Sequence, residues 1–170
     1  AYSLAVSGSD WSEIRIMECA TGHLLADRIH WVKFSCAVWC GEGFYYSGFD
    51  APDTGKEYEA QSLAQKIFYH RLGSEQSEDQ TVYHDPEHPQ RYFQASVSRD
   101  EQHLFIIASE GTSGSEVLYR RIEDETKFHL LFSGFDYDYT FVCADRGEAL
   151  FLTNEQAPNG KVVRAILQNN

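Results

Sequence analysis

Apolar and polar side chains alternate along much of this chain in short runs of period two, and one such run returns four times. Glu13-Ile14-Arg15-Ile16-Met17-Glu18-Cys19 is echoed by Lys66-Ile67-Phe68-Tyr69-His70-Arg71-Leu72. It comes back as Glu116-Val117-Leu118-Tyr119-Arg120-Arg121-Ile122 and as Lys161-Val162-Val163-Arg164-Ala165-Ile166-Leu167. The copies start at positions 13, 66, 116 and 161, so 53, 50 and 45 residues separate them. Alternation of this kind predicts strands. A strand-rich repeat near fifty residues is the signature of propeller blades.

The material between the copies fits that architecture. An apolar strand, a short polar turn and an aromatic strand recur: Val32 to Trp39, Cys40-Gly41-Glu42-Gly43, then Phe44-Tyr45-Tyr46. The same order appears in Tyr92 to Val97, Ser98-Arg99-Asp100-Glu101 and His103 to Ile107. A third instance is Tyr139 to Val142, Asp145-Arg146-Gly147-Glu148 and Ala149 to Thr153. Gly and Asp in the turns accept the positive φ that tight hairpins require. Each repeated heptapeptide then pairs onward with a further strand, Gln80 to Tyr83 or Phe128 to Phe132. Four antiparallel strands per period make one blade. The expected fold class is therefore all-β, with about three blades of four-stranded antiparallel sheet in one segment over 1–170. The pieces fall at 2–31 (partial), 32–91, 92–138 and 139–170 (partial).

Composition narrows the function classes. Aromatic residues make up 14% of the chain, and Tyr and Phe favour pleated, half-buried strands. No apolar run approaches the roughly 18 residues that span a bilayer, so no membrane association is expected. The start carries no basic, apolar, small-residue leader, and Ala1 in place of Met points to a processed piece. A net charge of −12, with Arg120-Arg121 inside an ordinary alternating strand, argues against nucleic acid, which needs clustered Lys and Arg. The acidic balance serves solubility.

Four cysteines, Cys19, Cys36, Cys40 and Cys143, make no disulfide framework in a chain of this length. Cys36 and Cys40 are expected on one strand, sharing a face but too far apart along it to bridge easily. No C-x-x-C pair calls for zinc, so the expectation is four buried free thiols and no metal.

The search for catalytic groups returns little. Gly8-Ser9-Asp10 and Gly111-Thr112-Ser113-Gly114-Ser115 lack the strand–Ser–helix setting of a nucleophile elbow. No phosphate loop or dinucleotide fingerprint is present, and no cofactor is expected. His84 and His88 lie in Asp85-Pro86-Glu87-His88-Pro89, where the prolines forbid the helix that would bring them together. Asp136-Tyr137-Asp138 and Asp50 to Glu57 lack the ligand spacing of a calcium loop. They are expected as the lead into a strand and a solvated connection.

Specific strings add a family resemblance. Gly8-Ser9-Asp10-Trp11, Trp31-Val32-Lys33-Phe34-Ser35-Cys36 and Phe44-Tyr45-Tyr46 resemble the amino-terminal propeller of the prolyl oligopeptidases. So do Gln65-Lys66-Ile67-Phe68-Tyr69-His70 and Leu72-Gly73-Ser74-Glu75-Gln76-Ser77-Glu78-Asp79, and order and spacing match from about Tyr2 to Leu167. The resemblance implies a seven-bladed propeller, of which this chain is a part. It begins within one blade, at a strand Tyr2 to Ser7, and stops inside another. It also implies a parent that is a serine-type peptidase cutting after proline, with Ser, Asp and His on an α/β-hydrolase domain. This chain matches none of that domain, so the chain alone is expected to be non-catalytic.

Individual residues follow from the resemblance. Asp10 matches an aspartate that pairs with a substrate-binding arginine of the hydrolase domain, where a carboxylate would pre-position an arginine fork. The alternative is an Asp in a blade turn accepting backbone N–H bonds. Phe34 matches an aromatic wall of an outer subsite, against ordinary strand packing. Tyr92 and Thr112 fall where the mammalian-type pattern has Met and Cys, and Ser109 falls where it has an arginine joined to the Asp10 network. The outer pocket is thereby more polar and one charge poorer.

The expected function is the substrate-gating propeller portion of a post-proline endopeptidase acting on short peptides, which excludes folded proteins. Its expected partners are the hydrolase domain and short proline-containing peptides. A stand-alone propeller module binding peptide or glycan is the alternative, and a propeller glycosidase would need two converging carboxylates. Blades bury both faces against neighbours. An isolated segment therefore bares apolar faces and strand edges and is expected to self-associate. The cysteine pattern leans toward the cytoplasm, and a periplasmic parent fits as well.

Overall fold

The computed structural model describes residues 1–5, 10–52, 62–124 and 127–168. Two compact units divide the chain, Ala1–Gln90 and Arg91–Asn170. The first holds β1 (Tyr2–Ala5), β2 (Ser12–Met17), β3 (Leu24–Val32), β4 (Val38–Cys40), β5 (Gly43–Gly48), β6 (Lys66–Arg71) and β7 (Gln80–His84), with a 3-10 turn at Gln76–Glu78. The second holds β8 (Tyr92–Val97), β9 (His103–Ser109), β10 (Glu116–Arg121) and β11 (His129–Phe132). It continues with β12 (Tyr139–Asp145), β13 (Glu148–Thr153) and β14 (Lys161–Ile166). All pairings are antiparallel between sequence neighbours, giving sheets β1-β2-β3, β4-β5-β6-β7, β8-β9-β10-β11 and β12-β13-β14.

The four repeat copies lie on β2, β6, β10 and β14. They take the third place in both four-stranded sheets and in the last sheet, and the second place in the first. Each blade is thus a meander, and the two three-stranded sheets show three of the four positions among the described residues. The burial of β13 explains why these sequences fold so. Ala149, Phe151 and Thr153 are buried on one face, while Glu148, Leu150 and Leu152 alternate outward. The β12–β13 hairpin turns on Arg146 (φ 50) and Gly147 (φ 78). Two successive positive φ values match the right-handed twist of the flanking strands.

In the first unit, Ile14, Ile16, Ile29 and Val32 of one sheet pack against Phe44 and Tyr46 of the next. In the second, Phe105, Val117 and Tyr119 pack against Tyr139, Ala144, Ala149 and Phe151. Burying one such aromatic or branched side chain is worth roughly 1.5–3 kcal/mol, so these two inter-sheet layers carry the stability of the units.

Three expectations change. The strand expected over Val32–Trp39 is two elements: Val32 closes β3, and β4 covers only Val38–Cys40. Trp31 and Phe34 take left-handed φ of 58° and 52°, which ends the pleat and slips the β2–β3 register between Ser12↔Val32 and Ile14↔Ile29. Cys36 therefore sits on the connection and shares no strand with Cys40. The thiols are also not uniformly buried: Cys40 is, whereas Cys19, Cys36 and Cys143 are exposed. Cys19 follows the end of β2, and Cys143 points to the outer face of β12, where nothing covers it within its unit. The turn expected over Cys40–Gly43 narrows to Gly41-Glu42, because Cys40 and Gly43 are paired. Val6 and Ser7 of the expected first strand, Gly8-Ser9 of the first string, and positions 53–57 of the Asp50–Glu57 connection lie outside the described residues.

Candidate functional site

The most specific string of the sequence, Leu72–Asp79, is a clasp between the two sheets of the first unit. The Gly73 N–H donates to Asp27 Oδ1 of β3 at 2.6 Å. The Gln76 side chain makes a two-point bridge to His30 of the same strand, accepting its N–H at 2.9 Å and donating to its carbonyl at 3.1 Å. Asp79 accepts the Tyr46 hydroxyl at 2.7 Å and meets His70 Nδ1 at 2.6 Å, while His70 Nε2 lies 3.1 Å from Asp27 Oδ1. The His70, Asp27 and Asp79 side chains are all but fully buried.

Both ring nitrogens of His70 thus face carboxylate oxygens. Burial raises Asp79 above the ordinary carboxylate range despite its bonds from Tyr46 and His70. Burial acts on Asp27 in the same direction, but the Gly73 N–H and the His70 ring outweigh it and hold Asp27 low. Burial and the neighbouring Asp79 push the Tyr46 phenol up. This network fastens sheets and has no open face for a substrate.

A second cluster stands where β3 gives way to β4. Trp11 meets Trp31 and Phe49 edge-on, each with centroids 5.6 Å apart, and Lys33 Nζ lies 4.0 Å from the Trp11 ring centre. Asp10, one residue before Trp11, is exposed. Phe34, one residue after Lys33, is 72% exposed. Asp10 and Phe34 each adjoin a member of this aromatic corner in sequence, and Phe34 is not the packed strand residue of its alternative reading.

The second unit holds a cleft of about 490 Å³ between the first strands of its two sheets. Gln94 and Ser96 of β8, Ser109 of β9, Thr112, Asp138 and Phe141 line it. Tyr92 pairs opposite Ser109 at one end of β8–β9, and Thr112 follows three residues on, so these three residues share one end of one sheet. The loop carrying Thr112 is pinned to the next sheet. Asp138 Oδ1 accepts the Gly114 N–H at 2.7 Å, the Tyr137 carbonyl accepts the Ser115 N–H at 2.9 Å, and Ser115 Oγ accepts the Tyr139 N–H at 2.8 Å. Gly114 is obligatory here: its φ is +79°, and a Cβ would lie 1.9 Å from the Phe135 carbonyl oxygen. Arg91, opening β8's segment, binds Glu110 at 2.7 Å and Glu116 at 3.6 Å and covers the Phe135 ring.

Among the described residues no group of three or more His, Cys, Asp or Glu is placed to hold a metal ion. His88 Nδ1 meets Asp85 Oδ2 at 3.0 Å. Sequence reasoning quoted Trp31, Gln65 and His70 only as members of strings and gave them no role, and it passed over Asp27. The Leu72–Asp79 string signalled that something specific was there, though not that its partners lie in β3.

Repeated four-stranded meanders with these inter-sheet layers define blades of a β-propeller. The sequence profile of the family described as prolyl oligopeptidase, N-terminal β-propeller domain, matches residues 1–170, and the chain belongs to that family. It is 34% identical to the prolyl endopeptidase of Elizabethkingia meningoseptica over 99% of its length, covering 24% of that protein. It is 29% identical to prolyl oligopeptidase A of Amanita bisporigera over 96% of its length, covering 25% of that protein. A solved structure from a mechanistic study of two prolyl endopeptidases superposes with a TM-score of 0.88 at 34% identity, over 99% of this chain and 24% of the other. Prolyl oligopeptidase B from Galerina marginata, bound to a 35mer substrate, gives a TM-score of 0.77 at 25% identity, over 92% of this chain and 24% of the other. The chain spans about a quarter of the length of the relatives it matches.

Proposed function

We propose that this chain is the substrate-gating propeller portion, and one wall of the outer subsites, of a serine-type endopeptidase that cuts short peptides after proline. The chemistry belongs to an α/β-hydrolase part of the same polypeptide. The observation that carries this reading is the match to the prolyl endopeptidases along the whole of 1–170. Two geometric features support it. The Asp10 carboxylate is exposed, as it must be to orient an arginine of the hydrolase part, and the exposed Phe34 offers an apolar surface. Within the second unit, Ser109 and Thr112 border a cleft rich in hydroxyls, which suits polar as well as apolar peptide side chains.

The test uses the full polypeptide that carries this chain. Asp10→Ala removes a charge-assisted contact worth about 1.5–3 kcal/mol, so kcat/KM for a short proline peptide is expected to fall about ten- to a hundredfold. The same peptide embedded in a folded protein is expected to resist cleavage. Uncleaved short peptides, with the chain still binding peptide or glycan, would replace this reading with that of a stand-alone binding module.

Self-association of the chain by itself belongs to the same proposal. Leu152, Val162 and Ile166 are exposed on one face of the last sheet, an apolar surface of the kind a further blade would cover. Light scattering is expected to give more than one chain per particle, and Val162→Lys with Ile166→Glu should return it to a monomer.

A further inference from the structure

The strand that follows a repeat copy closes its sheet, and among the described residues no further strand lies beside it in the first three sheets. β3 takes this place in the first sheet, β7 in the second and β11 in the third. β7 and β11 are short, with 5 and 4 residues, whereas β3 has 9. A long free edge offers a row of N–H and C=O groups on which another chain can add a strand, and short edge strands limit that risk. β3 also begins apolar, with Leu24 49% and Leu25 37% exposed. Edge-to-edge pairing has its best template here.

Gln76 sits against this edge. Within a strand, the N–H and C=O of one residue face the same neighbour, and those of the next residue face the other way. Those of His30 face Gln76: the N–H donates to Gln76 Oε1 at 2.9 Å, and the carbonyl accepts Gln76 Nε2 at 3.1 Å. An added antiparallel strand would engage His30 through the same two bonds, both made to one of its residues. The Gln76 amide thus fills one rung of a ladder that has no second strand. Its backbone is held for that task, because the Glu78 N–H donates to the Glu75 carbonyl at 2.9 Å and the Asp79 N–H to the Gln76 carbonyl at 3.1 Å. Arg28, two residues before His30, adds an exposed charge to the same strand, a further obstacle to pairing with a like edge.

We propose that Gln76 is an edge guard: its amide occupies the His30 rung of β3 and keeps a second copy of this chain from adding its own β3 there. The excluded partner is a copy because a twofold pair sets the same long edge on both sides. This role differs from fastening the two sheets, which the Asp27, His70 and Asp79 side chains also serve. Loss of a fastener lowers stability, whereas loss of a guard changes the number of chains per particle. The proposal stands apart from what the whole polypeptide cleaves.

The experiment is light scattering of the full polypeptide over a wide range of concentration. The full polypeptide is used because the chain by itself is expected to associate through Leu152, Val162 and Ile166. The unaltered protein should keep one mass throughout, and Gln76→Ala should move toward twice that mass as concentration rises. Adding His30→Pro should return Gln76→Ala to the original mass, since proline removes the edge N–H without breaking a bond to β2. Adding Arg28→Thr instead should tighten the pair.

Amide exchange reads the edge itself. At low concentration the His30 N–H should exchange about tenfold faster in Gln76→Ala, the size of one lost hydrogen bond, and it should slow again as the pair forms. Gln76→Met keeps the length of the side chain and loses only the amide, so it carries the same test if the alanine variant does not fold. A folded variant that keeps the original mass at every concentration would overturn the proposal. So would pairing that His30→Pro leaves intact, or a His30 amide whose exchange ignores the loss of Gln76.

Discussion

The two units solve one packing problem with different chemistry. Each faces a sheet against its neighbour across a layer of large side chains. In the first unit that layer is partly aliphatic, and its rim is closed by a buried polar network of Asp27, His70, Asp79 and Tyr46. In the second unit Val117, Ala144 and Ala149 share the layer with a larger set of packed rings. Phe132 stacks on Tyr139 with centroids 4.1 Å apart and planes 4° from parallel, and Phe105, Phe141 and Phe151 meet one another at 5.0 to 5.9 Å. Its inter-sheet hydrogen bonds run mostly through backbone N–H groups, as from Arg99 to the Ala144 carbonyl at 2.7 Å and from Arg146 to Asp100 at 2.9 Å. A blade repeat therefore fixes the sheets and leaves the adhesive open. Directional bonds specify register, whereas stacked rings supply area and tolerate sliding.

The largest expected effect tests this contrast directly. Asp79→Ala leaves a buried His70 and a buried Tyr46 hydroxyl without their acceptor and should cost about 3–5 kcal/mol, the loss seen when one partner of a buried pair is removed. Phe151→Ala in the aromatic layer should cost a similar 3–5 kcal/mol through the cavity it opens. Residue-resolved hydrogen exchange separates the two, since each variant should loosen its own unit. An Asp79→Ala cost within the range of a surface substitution would end the idea of a polar clasp.

A smaller effect comes with pH, and its sign should differ between the units. His103 of the second unit is buried, with neither ring nitrogen hydrogen-bonded. Burial lowers it from its ordinary 6.5, with Arg121 adding to the shift and Asp100 opposing it. The folded state then binds fewer protons than the unfolded chain, so the second unit loses stability as pH falls through 6.5. The first unit moves the other way: burial raises Asp79 above its ordinary 3.8, which stabilises as pH falls toward that value. Only below 3.8 does it weaken, as the depressed Asp27 is protonated. Amide exchange at pH 7 and pH 5 checks the crossing. His103→Leu should flatten the slope of the second unit, and parallel slopes in both units would remove the distinction.

The smallest effect is chemical. Cys19, Cys36 and Cys143 should react rapidly with a thiol reagent and Cys40 slowly, with no change in stability until Cys40 is modified. Counting fast-reacting thiols by mass spectrometry settles it.

Much of the fold was legible, because strands declare themselves locally. Ile14 and Ile16, or Ala149 and Phe151, alternate with polar or outward neighbours at the period of the pleat. The four copies on β2, β6, β10 and β14 mark equivalent strands of successive blades. The break after Val32 was not legible: Val, Phe, Cys and Trp all favour strands, and nothing local announces that Trp31 and Phe34 turn left-handed. That choice is made by Phe49, Gln65 and Ser47, which lie 12 to 32 residues away along the chain. The exposure of three thiols was misjudged for a related reason, since burial depends on which face of a sheet meets a neighbour.

The sequence by itself determined the all-β class and the blade period, because hydrogen-bonded pleating and its two-residue alternation are encoded within each short run; the family resemblance came from specific strings such as Leu72–Asp79. Tertiary structure alone decided what the Leu72–Asp79 string is for. Its glycine, amide and carboxylate take on meaning when β3 lies alongside, because buried polar groups must find partners and those partners come from another sheet. The same holds for Phe34. Its sequence is that of a strand residue, and only the long-range bonds to its neighbours overcome the backbone preference and turn the ring outward.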